Sequence, residues 1–241
     1  MTQPKTFDVL ILIARPAAGK SEIIHYLKNT LIAAREERFH IGKIDEIDDF
    51  PMLWTWFEED DILSQMGEPR LHTTEDGYFR WTYLWDVLIR RISLEYQKRQ
   101  RDDASGAEAV TTLVEFARGV EHGGFRQAFE HLSPQLLERA AILYINVSYA
   151  ESLRKNRRRF NPNRPDSILE HGLSDEKMER LYAEVDWQEL SGGKASGALP
   201  IQGIEVPFVV FENEDDVTTP GGEALGSRLE SALQELWKRY K

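Results

Sequence analysis

The chain contains no cysteine. Disulfides, thiolate nucleophiles and cysteine-held zinc are therefore excluded. It also lacks a membrane-length apolar run: Val9 to Ala14 is far shorter than the roughly 20 residues that cross a bilayer. The opening Met1 to Asp8 is polar and shows no signal-peptide pattern. Positive charge is in deficit, with 30 Lys and Arg against 41 Asp and Glu and a formal charge of −11. Duplex-binding proteins carry a basic footprint that this balance does not provide. Together these absences point to a soluble, cytoplasmic chain with no membrane partner, and they argue against a nucleic-acid partner. At 241 residues and 41% hydrophobic content, the chain can build a core, which argues against global disorder.

What is present has a clear rhythm. Phe7 to Ala14 is nearly all apolar, as a parallel strand covered on both faces would be. A small-residue loop follows, then Ile23, Ile24, Leu27 and Leu31 at helical spacing. Phe39 to Ile44 reads as a second strand running into the acidic stretch Asp45 to Asp49. Tyr78 to about Arg101 reads as one long helix, and the stretch 102–108 as a turn. Ala109 to Phe116, Ala141 to Val147 and Val206 to Phe211 read as further strands; Pro207 is tolerable near a strand start. A helix near Gln135 precedes the fourth strand, and basic helical sequence follows it from Ala150 to Phe160. Ser174 reads as the N-cap of a helix carrying Met178, Leu181, Tyr182 and Val185. Ser191 to Leu199 reads as a flexible connector, and Leu225 to Tyr240 as a terminal helix. The expected fold class is α/β: an open parallel sheet of about five strands with helices on both faces.

The strongest local signal is Ala14-Arg15-Pro16-Ala17-Ala18-Gly19-Lys20-Ser21. Small residues between a buried-type strand and a helix let backbone N–H groups close around an anion, and the helix points its positive end at the same place. A lysine and a hydroxyl then follow at fixed offsets. The bland reading is a strand-to-helix turn with an exposed lysine. The segment resembles the phosphate loop of the P-loop NTPases, in which alanine is an accepted variant of the first glycine. More narrowly, the chain is similar to nucleoside monophosphate kinases and small-molecule kinases such as gluconate and shikimate kinases. The resemblance is specific at Ala14 to Ser21 and elsewhere is one of order and spacing.

That resemblance implies an ATP–Mg²⁺ donor site. Arg15, Pro16, Ala17, Ala18, Gly19, Lys20 and Ser21 would hold the nucleotide, with Lys20 at the β- and γ-phosphates and Ser21 on Mg²⁺. It also implies a single domain over 1–241, with a helical acceptor-binding insertion at 46–104 and a lid and connector at 149–200.

Ligands of open α/β sheets sit beyond the carboxyl ends of strands. Asp45, with Glu46 and Asp48 close by, is the candidate for acceptor contact or general base; the alternative is a solvated acidic turn. Glu115 near the end of the third strand is the candidate metal ligand or base, although aspartate is usual there. A carboxylate buried on a strand without partner or role would be costly. Arg118 either neutralises an acceptor phosphate or pairs with Glu115 or Glu121.

Arg154, Arg157 and Arg158, in a cluster with Lys155 and Arg159, share a helical face. In the resembled kinases such arginines belong to a lid that closes over the triphosphate, and Asn161 to Pro165 would break the helix as a movable lid requires. A solvated basic face is the alternative. A nucleic-acid patch is a third reading, with only Phe160 to interleave. Asn213 and Asp216 superficially match a guanine-reading spacing, but Glu214 stands where that motif has lysine, so GTP is discounted. Trp54, Trp56, Trp81 and Trp85 either pack a helical core or line an acceptor pocket.

The expected activity is transfer of the γ-phosphoryl of ATP–Mg²⁺ to a small-molecule or nucleotide acceptor. A nucleotide-dependent switch is the runner-up. A third reading is a kinase of a macromolecular or sugar-nucleotide acceptor, as the zeta-type toxins are. Acceptor identity and oligomeric state are not encoded in these patterns.

Overall fold

The computed structural model describes residues 5–102, 109–159 and 172–240. The first half runs β1 (Val9–Ala14), α1 (Lys20–Asn29), α2 (Ile32–Phe39), β2 (Lys43–Asp48), α3 (Asp49–Gln65), α4 (Leu84–Asp102) and β3 (Val110–Phe116). After a 3₁₀ turn at Val120–His122 come α5 (Gly124–Glu130), α6 (Pro134–Leu137), β4 (Ala140–Asn146), α7 (Tyr149–Arg159) and α8 (Asp175–Tyr182). The chain ends with α9 (Trp187–Ser191), β5 (Ser196–Ile201), β6 (Ile204–Glu212) and α10 (Gly222–Tyr240). The sheet has six strands in the order β2-β3-β1-β4-β6-β5. All neighbours are parallel except β5, which pairs antiparallel with β6.

β1 shows why the sheet is covered twice. Leu10, Leu12 and Ala14 pack into one core with Ile23, Ile24 and Leu27 of α1 and Leu229, Leu233 and Leu236 of α10. Val9, Ile11 and Ile13 point the other way, into a core with Ile89, Ile92 and Tyr96 of α4 and Phe125 and Phe129 of α5. Successive strand side chains alternate between faces, so an uninterrupted apolar run suits only a strand buried on both. Each such side chain contributes about 1.5–3 kcal/mol by leaving water.

The second strand begins four residues later than its apolar pattern predicts. Phe39 closes α2, which the sequence reading missed, and His40 caps it in the left-handed region at φ 55°. Buried Arg35 donates to the carbonyls of Leu27 at 3.0 Å and Gly42 at 2.8 Å, fixing this corner. Asp45 therefore lies inside edge strand β2, not after it. There it pairs with Arg99 of α4 at 2.5 Å, while Glu46 pairs with Lys28. Charged side chains along a sheet edge also block edge-to-edge association.

Ser191 to Leu199 is not merely a connector, because its end enters β5. Gln202 and Gly203, at φ 52° and 80°, form the two-residue turn into β6, the mirror-image turn that suits strand twist. Pro200 is admissible because β5 is an edge strand. The long helix after the second strand starts at Leu84, six residues beyond the expected Tyr78. Leu31 lies outside α1 and is 82% exposed. Ser174 does cap α8, accepting from Lys177 N. Of the turn expected over 102–108, Asp102 instead ends α4, and residues 103–108, like the expected helix break at Asn161 to Pro165, lie outside the described residues. Among the described residues no helix is long and apolar enough to cross a membrane.

The connection after β1 leads towards the β2 edge and that after β4 towards the β5 edge. Loops that part in this way open a crevice at the carboxyl ends of the central strands.

Candidate functional site

A cleft of 820 Å³ occupies that crevice, near the upper end of the roughly 300–1,000 Å³ common for small-molecule sites. Its floor is the turn between β1 and α1. Ala17 and Gly19 take left-handed conformations there, at φ 54° and 116°. Gly19 is also the N-cap of α1 and supplies no side-chain acceptor, so the first amides of the helix meet the cleft without a side-chain cap. Pro16, Ala17, Gly19, Lys20 and Ser21 all line it. Unsatisfied amides, the helix dipole and an adjacent ammonium are the ingredients of an anion site.

The turn is braced from the far side by the segment after β6. A Cβ on Gly19 would sit 2.6 Å from Thr218 Oγ1 and 2.9 Å from Asn213 Nδ2. Asn213 Nδ2 donates to Ala18 O and to Thr218 Oγ1, each at 2.8 Å. Lys155 Nζ donates to Thr218 Oγ1 at 2.9 Å and to Asp216 Oδ1 at 2.7 Å. Asn213 is thus a buried strut and Asp216 a partner for cations. Arg15 turns away from the cleft floor. It donates to the carbonyls of Val147, Tyr182 and Ala183 at 3.0, 3.2 and 3.2 Å, tying the turn to β4 and α8. Ser152 Oγ adds a bond to Pro16 O at 2.7 Å.

Three carboxylates gather at the ends of β2 and β3. Asp48 and Glu115 are register partners, and Asp49 opens α3 beside them. Lys20, buried, holds its Nζ 3.7 Å from Glu115 Oε1. Partial burial, with the charges of Glu115 and Asp49 added, pushes the Asp48 carboxyl up to about 8. Burial also raises Glu115, against the pull of Lys20. Asp48 Oδ1 accepts from Phe50 N at 2.9 Å and so caps α3. Asp45, the sequence candidate for this role, is not among the residues that line the cleft; the acids at the strand end are Asp48 and Asp49. The four-residue shift of β2 is the whole cause.

Arg118 is 1% exposed. Its Nη1 lies 2.7 Å from Asp49 Oδ2 and donates to Ala117 O at 2.6 Å, and Nη2 donates to Trp85 O at 3.2 Å. Its ion-pair partner is Asp49, neither Glu115 nor Glu121. Trp85 stacks on His122, ring centroids 4.0 Å apart. Burial, with the Arg118 charge adding to it, holds that imidazole down to about 3. The tryptophans divide: Trp85 lines the cleft, Trp56 is buried and stacks on His72, and Trp81 is 52% exposed.

The basic helix α7 presents a different stripe from the expected one. Arg154 pairs with Glu151 and Asp216, and exposed Arg157 pairs with Asp175. Lys155, Arg158 and Arg159, at i, i+3 and i+4, line the cleft instead. Sequence reasoning named Arg158 and missed Lys155, Asp48, Asp49 and Thr218 as site residues. The i, i+3, i+4 alternative was the available signal for Lys155; nothing local marks Thr218. Among the described residues, no group of His, Asp and Glu forms a metal cage by itself. No family model and no curated protein matches the chain.

Proposed function

We propose that the protein is a P-loop phosphotransferase that moves the γ-phosphoryl of ATP to a small-molecule or nucleotide hydroxyl or phosphate. The observation that carries this reading is the turn at Ala14 to Ser21: a glycine position closed to any side chain, an uncapped helix N-terminus and a buried lysine, all opening into one large cleft. The parted loops at the carboxyl ends of β1 and β4 support it.

The residues fit a magnesium nucleotide. A protein-only cage is not needed, since Mg²⁺ keeps several waters and takes one or two protein groups besides phosphate oxygens. Ser21 and Glu115 would hold it, and when bound it supplies neutralisation of phosphate charge. Lys20 leaves Glu115 for the β- and γ-phosphates. Lys155, Arg158 and Arg159 add positive charge from α7. Asp48 takes the role the sequence reading gave to Asp45. For a hydroxyl acceptor, the acceptor oxygen bonds to the γ-phosphorus and the bond to the bridging oxygen breaks. The electron pair departs with ADP, and the hydroxyl proton passes to Asp48.

Acceptor-dependent ADP release tests this. The wild-type chain should release ADP in step with phosphorylated product, and Lys20→Ala should lose that activity while melting normally. Equal turnover in the two proteins removes the reading.

A further inference from the structure

The large apolar side chains that stay exposed among the described residues gather in one region. Apart from Leu31, Ile32 and Val120, they all fall between Ile62 and Leu94, on α3, on α4 and in the segment that joins them. Exposed apolar side chains scattered singly need no explanation, whereas a gathered set marks a contact site. Two helical stripes organise this one. On α3 and its C-cap, Glu58, Glu59, Ile62 and Met66 share an exposed face; on α4, Arg90, Arg91, Leu94 and Lys98 do the same, each at the spacing of neighbours on a helix. The spacing is identical and the charge is opposite: a charged pair, an apolar residue four beyond its first member, and one more side chain a turn later. Neither stripe is satisfied within its own chain. α3 and α4 pack on each other through buried Trp56, Leu84 and Leu88, which leaves both outer faces turned away from that contact. Glu58, Glu59 and Arg91 have no ion-pair partner among the described residues. Arg90 makes a single bond, from Nε to His131 Nδ1 at 3.2 Å, and Lys98 lies 3.8 Å from Glu95.

We infer that the protein pairs with a second copy of itself, the α3 stripe of each protomer lying on the α4 stripe of the other about a two-fold axis. One molecule carries both halves of the complementarity, and an isologous pair makes the contact twice. With the facing helices parallel, Glu58 and Glu59 meet Arg90 and Arg91 of the partner subunit. With them antiparallel, they meet Lys98 of the partner subunit, and Ile62 covers Leu94 of the partner subunit in both cases. From Pro51 to Met66 and from Tyr83 to Lys98 the exposed faces run about 22 Å. Two strips of that length and about 10 Å wide give roughly 450 Å² per protomer, against about 800 Å² in a standard stable interface. The association is therefore weak, in roughly the micromolar range, and sensitive to salt. It leaves the cleft open. Asp49 stands nine residues before Glu58, and Trp85 nine before Leu94; at 3.6 residues per turn the cleft residues occupy the opposite helix faces from the stripes.

Sedimentation equilibrium of the wild-type full chain at about 5–200 μM tests this. In about 50 mM salt the mass should rise from monomer towards a dimer plateau, and in about 500 mM it should fall back, because screening shortens the reach of the charge pairs. Glu58→Lys/Glu59→Lys and Arg90→Glu/Arg91→Glu/Lys98→Glu, each checked for parent-like circular dichroism and melting, should each associate at least about tenfold more weakly alone. Mixed in equal amounts, the two variants should recover the dimer, since each then presents the charge the other lacks. Should either variant fail to fold, the salt series on the wild-type chain decides. A wild-type chain still monomeric at about 200 μM overturns the inference. So does mass that grows past the dimer, association that salt leaves unchanged, variants that pair as tightly as the parent, or a mixture no heavier than its components.

Discussion

The end of β1 and the ends of β2 and β3 face the same cleft but are built on opposite principles. At the end of β1 the backbone is held in left-handed turns at Ala17 and Gly19 and braced by Asn213 and Thr218. Its charge comes from amides and one lysine. At the ends of β2 and β3 the backbone is ordinary strand, and the unusual feature is crowding of like charge around Asp48. One region stores backbone constraint and the other stores electrostatic constraint. Both conditions cost stability and persist where the surrounding fold over-determines them, as happens at functional sites.

Asp60 provides the contrast within one residue type. It is fully buried and accepts from the amides of Leu71, His72 and Thr73 and from Thr73 Oγ1. Burial alone would raise its carboxyl, but these donors hold it down to about 2. A carboxylate so completely satisfied is a structural pin, whereas Asp48 is held in its less stable ionised form when the pH is high.

The largest effect should come from Lys20→Ala, which removes the cation that the turn presents to the cleft; turnover should fall by at least about 100-fold in steady-state assays. Asp48→Asn should lower transfer by roughly 100-fold or more while stabilising the fold at high pH. The sign follows from linkage. A carboxyl raised in the folded state favours folding below its unfolded value near 4, and that advantage is lost as pH rises through about 8. Melting at pH 6 and pH 9 should therefore converge in the variant and diverge in the parent.

On the backbone side, Gly19→Ala must adopt φ near 116° and meet Thr218. It should cost about 1–3 kcal/mol in denaturant unfolding. Asp60 contributes the opposite pH sign. Its depressed carboxyl gives about 2 kcal/mol above pH 4, lost as pH falls through about 2, so Asp60→Asn should flatten the acid limb of an unfolding curve. The smallest effect is expected for Arg157→Ala, since that side chain is exposed and pairs with Asp175 outside the cleft lining. Turnover close to the parent's would separate the observed α7 stripe from the expected one.

How much of this was legible depends on whether the signal was local. The apolar β1 and the small-residue turn after it are contiguous, so strand, loop and helix could be read together. Phe39-His40-Ile41-Gly42 alternates like a strand but is a helix end, because Arg35 gathers the carbonyls of Leu27, Ile41 and Gly42; that side-chain act, which apolar alternation does not register, displaced β2 and with it the acid at its end. β5 is a short edge strand with glycine and proline, and its pairing with β6 rather than its composition makes it a strand. Thr218 and Asn213 brace a turn some 200 residues earlier in the chain, a contact no spacing rule reveals. The arginine stripe of α7 was found as a helix and misphased by one position, since periodicity gives the stripes without saying which one faces inward.

The most direct test is a crystal structure with a non-hydrolysable ATP analogue and Mg²⁺. Phosphate oxygens should lie against the amides between Ala17 and Ser21, with Lys20 Nζ moved from Glu115 to the β- and γ-phosphates. Nucleotide bound elsewhere, with Lys20 still paired to Glu115 and no phosphate at that turn, would contradict it.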